Sequence, residues 1–319
     1  MNLLAIRYAF LAVAVVTLNF ALPRLLPGDP LANSDTPTLS AQQHAALRAT
    51  YRLDQPLPVQ FANYLADLGH ADLGWSISRN APVSELIRER LPWTLALILT
   101  SVVLAAVAGT ALGVLSAWRG GRLDRLVVGL CASLAAVPEF LVAMLLLLLL
   151  AVGMGWFPLT GGQSPFAASD QPWMTQLGDR LSHLALPAIS LVVANLAAFV
   201  LLSRGAIRAV LRDPYLATAR GKGLSERRVA LGHAAPNALL PVLTQFGMRL
   251  GQVVGGAIVV ERVFGVPGLG LFAFQAIQAR DYPVLQAIFL LASGSVLLAN
   301  LMVEVAYRRL EPRRGAGRT

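Results

Sequence analysis

Six apolar stretches, each long enough to cross a lipid bilayer, limit this chain more than any other feature. A hydrocarbon core takes about 20 helical residues to span. The runs are approximately Leu4–Leu22, Trp93–Trp118, Leu126–Phe157, Leu184–Ser203, Asn237–Val260 and Tyr282–Tyr307. The third is too long for one straight span, so its ends are expected outside the hydrocarbon. Only 13% of the residues are charged, against roughly 25% in a soluble domain. The sequence therefore predicts an all-α membrane protein of six transmembrane helices, folded as one domain over residues 1–319.

A net charge of +9 invites a nucleic-acid reading, but the basic residues sort by side of the membrane instead. With both termini in the cytoplasm, Arg7, the Trp118–Arg125 loop, the island from Arg204 to Pro236 and the C-terminal tail hold 16 of the 26 Lys and Arg. Six more lie in the long segment from Pro23 to Pro92, and loops of that length translocate largely regardless of charge. The N-in, C-in orientation follows. "ALPRLLPGDP" offers no small-x-small cleavage pattern, so the first stretch reads as a retained span rather than a signal peptide. The single cysteine, Cys131, permits no internal disulfide and sits in apolar surroundings as a packing residue.

Between the first two stretches, "TLSAQQHAALRATYRL" and "LPVQFANYLADLG" carry apolar residues at helical spacing, with "LDQPLP" as the turn between them. They predict a small external helical insertion. The later outer segments, "MGWFPLTGGQSPFAASDQPW" and "ERVFGVPGLGLFAFQAIQARDYP", read as interfacial connectors rich in Gly, Pro and aromatics.

The charged island "DPYLATARGKGLSERRVALGHAAPNALLP" stands apart from its greasy flanks. Asp213 before Pro214 is a helix start, an N-cap acceptor followed by proline at the first helical position. A short helix from Tyr215 to Lys222 can close at Gly223 in the left-handed conformation. Ser225 can then cap a second short helix, with Arg228 where a capping box would need an acid. Two short helices meeting at a glycine make a knob suited to a groove on another protein. A solvated, positive-inside loop would show the same charges.

This stretch resembles the cytoplasmic loop of bacterial ABC-importer permeases of the dipeptide, oligopeptide and nickel branch. The family pattern Glu-Ala-Ala-x-x-x-Gly aligns with Ala217, Thr218, Ala219 and Gly223; the glutamate is absent, and "TARGKGL" is similar to the "TARAKGL" of the peptide branch. "LLPGDP", "LDQPLPVQFANYLADLGHADLGWSI", "RLPWTLAL", "VPEFLVAM", "GQVVGGAIVVERVFGVPGLG" and "RDYPVLQ" follow the branch in order over nearly the whole chain. The resemblance implies that Asp213, Tyr215, Ala217, Thr218, Ala219, Arg220, Lys222, Gly223 and Leu224 contact a cytoplasmic ATPase. It also implies a second permease, two ATPase subunits that bind ATP and Mg, and an external solute-binding protein. Peptides are the expected cargo, with nickel, a metal chelate or a glutathione-like solute as alternatives. The chain has no G-x-x-x-x-G-K-[ST] phosphate loop, since Gly221-Lys222 lacks the glycine five residues earlier, so no nucleotide site and no cofactor are expected in it.

Within the stretches, Glu139, Arg249 and Glu304 are ionisable, and such residues face a cavity or a partner by default. Glu139 follows Pro138, and Glu304 lies near an end where it can snorkel. In the fifth stretch Gln245, Arg249 and Gln252 share one helix face, and Gly247, Gly251 and Gly255 share the other. The glycines are expected at a close helix contact. The polar stripe is then expected in the translocation path with Glu139, or in an ion pair with a neighbouring subunit. A membrane-embedded hydrolase is disfavoured: His44, His70, His183 and His233 form no H-E-x-x-H, and no metal site is expected. A secondary transporter would show repeated broken helices in two halves, which the sequence lacks.

Overall fold

Long apolar runs without water leave the backbone little choice but the helix, and the chain is helical almost throughout. The computed structural model describes residues 2–25, 41–164, 172–211, 213–238, 240–252, 255 and 257–310. Most of the "LLPGDP" stretch, most of the "SPFAASDQ" connector and the C-terminal tail from residue 311 lie outside the described residues.

In chain order the helices are α1 (Asn2–Arg24), α2 (Ala41–Thr50), α3 (Leu57–Gly69), α4 (Val83–Arg119), α5 (Gly121–Ala135) and α6 (Glu139–Leu146). They continue as α7 (Trp173–Val210), α8 (Pro214–Gly221), α9 (Glu226–Val229), α10 (Ala235–Ala238), α11 (Leu240–Gly251), α12 (Ile258–Phe264), α13 (Leu269–Ala279) and α14 (Tyr282–Leu310). Wider π-type turns extend α6 over Leu147–Gly153 and link α9 to α10 over Ala230–Ala234. Strands β1 (Trp75–Ser76) and β2 (Ala81–Pro82) form a two-stranded antiparallel hairpin. Four helices (α1, α4, α7 and α14) are long and apolar enough to cross a membrane, and there are six crossings if each of two bent pairs counts as one.

Close contacts set the relative directions of these helices. On α4, a Cβ at Gly109 would come within 2.7 Å of Phe199 Cβ, and one at Gly113 would collide with Ser203 and the Val200 carbonyl, so α4 and α7 touch backbone to backbone and run parallel. Along α1, Arg7 pairs with Glu304 of α14 at 3.2 Å and Asn19 Nδ2 donates to Ser293 Oγ at 3.1 Å, which makes that pair antiparallel. Glu304 is thus held by α1. On α11, Gly247 meets Val303 and Gly251 meets Ala299, so α11 also runs antiparallel to α14. The main core lies where α4, α6, α7, α11 and α12 converge, around Leu97, Leu186 and Phe199. Outward-facing Phe10, Val107, Leu130 and Leu149 stay exposed, as suits helices bathed in lipid.

Several sequence expectations are corrected. Helix α4 begins at Val83, ten residues before the apolar run that opens at Trp93, and Pro92 lies inside the helix. Burial of Val83, Leu86 and Ile87 against α13 and α14 holds this first part helical despite the proline. The long third stretch is bent by 97° between α5 and α6, because Pro138 cannot donate to the helix and disfavours helical backbone before it. The expected fifth stretch is divided: α11 stops at Gly251 and helix resumes at Ile258. The "ERVFGVPGLG" connector is itself helical, α12 and α13 meeting at 89°. The insertion carries its two expected helices, plus the unforeseen hairpin.

The parallel α4–α7 contact is the most crowded helix crossing, so Gly113→Leu should lower the yield of monodisperse protein and its melting temperature. Overpacking of this kind costs about 1–3 kcal/mol. Gly129→Leu on α5, where a side chain meets open space, should leave both unchanged.

Candidate functional site

The knob is built as two short helices around a small core of its own. Pro214 starts α8, and Asp213 occupies the N-cap position with extended backbone, but its carboxylate makes no cap hydrogen bond. Leu216 and Ala219 turn inward and are buried with Val229 and Ala234, against Trp118 and Leu224. The turn comes at Gly223, whose φ of +75° lies in the left-handed region, with no other group within 4 Å of its missing Cβ. Arg220 Nε donates to Glu226 Oε1 at 2.8 Å and clips α8 to α9. That hydrogen bond raises the guanidinium pKa above its ordinary value. The outward face presents Tyr215, Ala217, Thr218, Lys222 and Gly223, all exposed. Lys222 is the one lysine of the chain.

A buried acid anchors the root of the knob. Asp124, 3% exposed, accepts from Ser116 Oγ at 2.8 Å, from Arg204 Nε and Nη2 at 2.5 and 2.8 Å, and from Arg208 Nη2 at 2.5 Å. It thereby ties the end of α4, the start of α5 and the last turns of α7. Sequence reasoning missed it, since Asp124 read as one more residue of a solvated loop.

Within the helical bundle, Gln245 and Arg249 are half-buried on α11, and Gln252 is exposed just past its end. Glu139 begins α6 at the Pro138 bend, half-buried, with Oε1 shut off from solvent and without a hydrogen-bond partner. It forms no ion pair with Arg249, although that cation acts on its carboxyl electrostatically. Gly247 and Gly251 are buried against α14, where Ser295 Oγ also donates to the Gly251 carbonyl at 2.8 Å. Gly255 does not join them: it lies beyond the end of α11 with open space around it.

Two further buried acids serve the joints at the other end of the bundle. Glu261, fully buried, accepts from Thr94 Oγ1 at 2.6 Å and from the Leu271 amide at 2.9 Å. Gly268 and Gly270 leave room for its carboxylate, which a Cβ at Gly268 would strike. Asp281, also fully buried, accepts from Ser76 Oγ at 2.6 Å and from Ser78 N and Oγ at 2.9 and 2.7 Å, pinning the hairpin to the start of α14. Cys131 is buried between α5 and α7. Among the described residues no three His, Cys, Asp or Glu are grouped to hold a metal ion.

The family of binding-protein-dependent transport system inner membrane components matches residues 109–315, from the α4–α7 contact through the knob to the end of α14. The chain belongs to this family. The permease is thus a multi-pass protein of the bacterial inner membrane. It is similar along nearly all its length to curated relatives. A probable peptide ABC transporter permease of Sinorhizobium fredii is 36% identical over 295 residues, 92% of each chain. A glutathione transport system permease of Salmonella typhimurium is 38% identical over 312 residues, covering 98% of this chain and 96% of its own. An oligopeptide transport system permease of Bacillus subtilis is 37% identical over 304 residues, 94% of each.

Because Gly223 has open space around it, any penalty for a side chain there is conformational rather than steric. A β-branched residue in the left-handed region costs about 1–2 kcal/mol or more. Gly223→Val in the permease should leave membrane insertion intact and sharply reduce solute uptake. Gly223→Asn, which tolerates that backbone, should retain most of it. Equal uptake by wild type and Gly223→Val would remove the turn from the machinery.

Proposed function

We propose that this permease forms half of the path of an ATP-driven peptide importer, and that its knob is the contact through which cytoplasmic ATPase subunits drive it. The observation that carries this reading is the division of the knob into two faces. Leu216 and Ala219 are spent on an internal core, while Tyr215, Ala217, Thr218 and Lys222 are left outward. Residues of an ordinary solvated loop need no such core. A chain without a phosphate loop must receive its energy through a protein contact, and a preformed knob loses little entropy on docking.

Six crossings with both termini cytoplasmic complete the proposal. The parallel α4–α7 pair and the antiparallel α1–α14 and α11–α14 pairs support an alternation of directions in which the α10–α12 stretch, and not the bent α12–α13 pair, is the fifth crossing. The placement of basic residues supports the orientation. A second, related permease, two ATPase subunits and an external solute-binding protein complete the assembly. Peptide-class cargo is supported by the names of the relatives, which are permeases for peptides, oligopeptides and glutathione.

The contact can be tested on its one amine. In the assembled transporter an amine-reactive crosslinker should join Lys222 to an ATPase subunit, and labelling of Lys222 should rise when those subunits are stripped away. Crosslinks that reach only the N-terminal amine, with Lys222 equally reactive in both states, would refute the docking face.

Arg249 and Glu139 are proposed to line the path with Gln245 and Gln252, while Gly247 and Gly251 hold α11 on α14. Arg249→Ala should assemble normally and slow uptake, most of all for substrates bearing a carboxylate. Gly251→Leu should block assembly, because its side chain would enter the backbone of α14 at Val296. Purification yield and uptake measured on both variants separate the two faces of α11, and the opposite pattern would reverse them.

A further inference from the structure

Between α3, the hairpin and the start of α14 lies a cavity of about 820 Å³, within the range of small-ligand sites. It adjoins neither the knob nor Arg249. Its lining residues are largely polar and include Arg24 from α1, Tyr64 from α3 and Gln286 from α14. Gln286 is 8% exposed and its Nε2 is buried with no hydrogen-bond partner; Tyr64 Oη is likewise buried and unpartnered. Burying an unpaired polar atom costs about 1–3 kcal/mol, so two on one wall call for an explanation.

The chemistry of the wall selects what would satisfy it. The Gln286 amide nitrogen is a donor only, and the Tyr64 hydroxyl can donate. Arg24 stacks its guanidinium 3.6 Å above the Phe20 ring and donates to Gln60 Oε1 and the Phe20 carbonyl, both neutral acceptors, so no carboxylate among the described residues balances its charge. The two acids of the lining are already engaged: Asp67 with Arg52 at 3.1 Å, and Asp72 Oδ1 with the Gly74 amide at 2.8 Å. Water would fill the two vacant hydrogen bonds and leave the guanidinium without a counter-ion. An anionic oxygen group answers both needs.

Position selects its source. Arg24 ends α1, a helix of membrane-crossing length; its Leu18 and Leu22, and Leu25 just past its end, are 57%, 48% and 77% exposed. Phe20, Phe61 and Tyr64 cluster beside it with ring centroids 5.0 and 5.7 Å apart, the aromatic character of a membrane–water interface. We propose that this cavity binds the phosphodiester of a membrane phospholipid, with Arg24, Tyr64 and Gln286 as its ligands and the acyl chains along the bare flank of α1. The site is independent of the transport reading, because binding can be measured with no uptake at all.

The test uses the assembled transporter, delipidated in mild detergent and titrated under native mass spectrometry. The probes are dioctanoyl phosphatidylglycerol, dioctanoylglycerol with the same tails and no phosphate, and dialanine. Wild type should bind one phosphatidylglycerol at this site and neither of the others there. Tyr64→Phe with Gln286→Leu keeps the packing and removes both donors. It should weaken that binding by about tenfold or more, as expected for losing hydrogen bonds to a charged group. The same variant should lose the rise in melting temperature that the phospholipid gives wild type. Equal phospholipid binding by wild type and variant would overturn the proposal. Equal binding of dioctanoylglycerol would reduce the site to apolar contact, and binding of dialanine in place of lipid would assign the donors to a substrate carboxylate. A variant that is merely more stable, with no phospholipid bound by either form, would leave a water-filled cavity and end the proposal.

Discussion

Backbone contact between α4 and α7 organises the rest of the bundle. Inside a bilayer the hydrophobic effect does not push helices together, since lipid tails are as apolar as the side chains. Association rests on close packing and on the hydrogen bonds it permits. Gly109 and Gly113 supply that closeness by letting the Phe199 and Ser203 turns of α7 settle onto α4. Around this parallel pair the other elements find their surfaces: α5 lies on α7 through Val127 and Cys131, and α6, α11 and α12 fill the shared core beside Leu97 and Phe199. Widening the crossing by one side chain would shift every one of those surfaces.

Corners are the second requirement. Wherever a helix ends within a low-dielectric bundle, amides and carbonyls lose their partners and must find others inside the protein. A buried acid stands at three of these corners. Glu261 takes up the Leu271 amide at the α12–α13 bend, and Asp281 gathers the hairpin serines where α14 begins. Asp124 receives a serine and two arginines where α4, α5 and α7 come together. Glu261 sits among neutral donors, Asp124 against two cations, so the same type of residue serves as a hydrogen-bond hub in one corner and an ionic clamp in another.

What could be read from the sequence was local. Apolar run length identified the helices, and the Asp-Pro start with a glycine nine residues after the proline marked the knob's first helix and its turn. The spacing of Gly247 and Gly251 pointed to a helix contact. What could not be read depended on partners far away in the chain. Thr94 and Glu261 are 167 residues apart, Ser76 and Asp281 are 205, and Asp124 and Arg204 are 80. No period or capping rule connects such residues. Gly255 misled for a related reason: helical spacing carries meaning only while the helix lasts, and α11 stops at Gly251. Pro92 misled in the opposite sense, because burial of the preceding turns outweighed the lost hydrogen bond.

The Asp124 clamp also has a mechanical consequence. Arg204 and Arg208 lie in the last turns of α7 before the knob, so the foot of that helix is fastened to one buried point. Helix α7 runs unbroken for 38 residues through Pro187, about 57 Å at 1.5 Å per residue. Tilting a rod of that length by about 5° around the clamp sweeps its far end through about 5 Å, close to one helical turn. The helix is therefore a lever with the clamp as its fulcrum and its own foot as the short arm. A small displacement imposed there is magnified at the opposite surface, and the neighbours packed along α7 are carried with it.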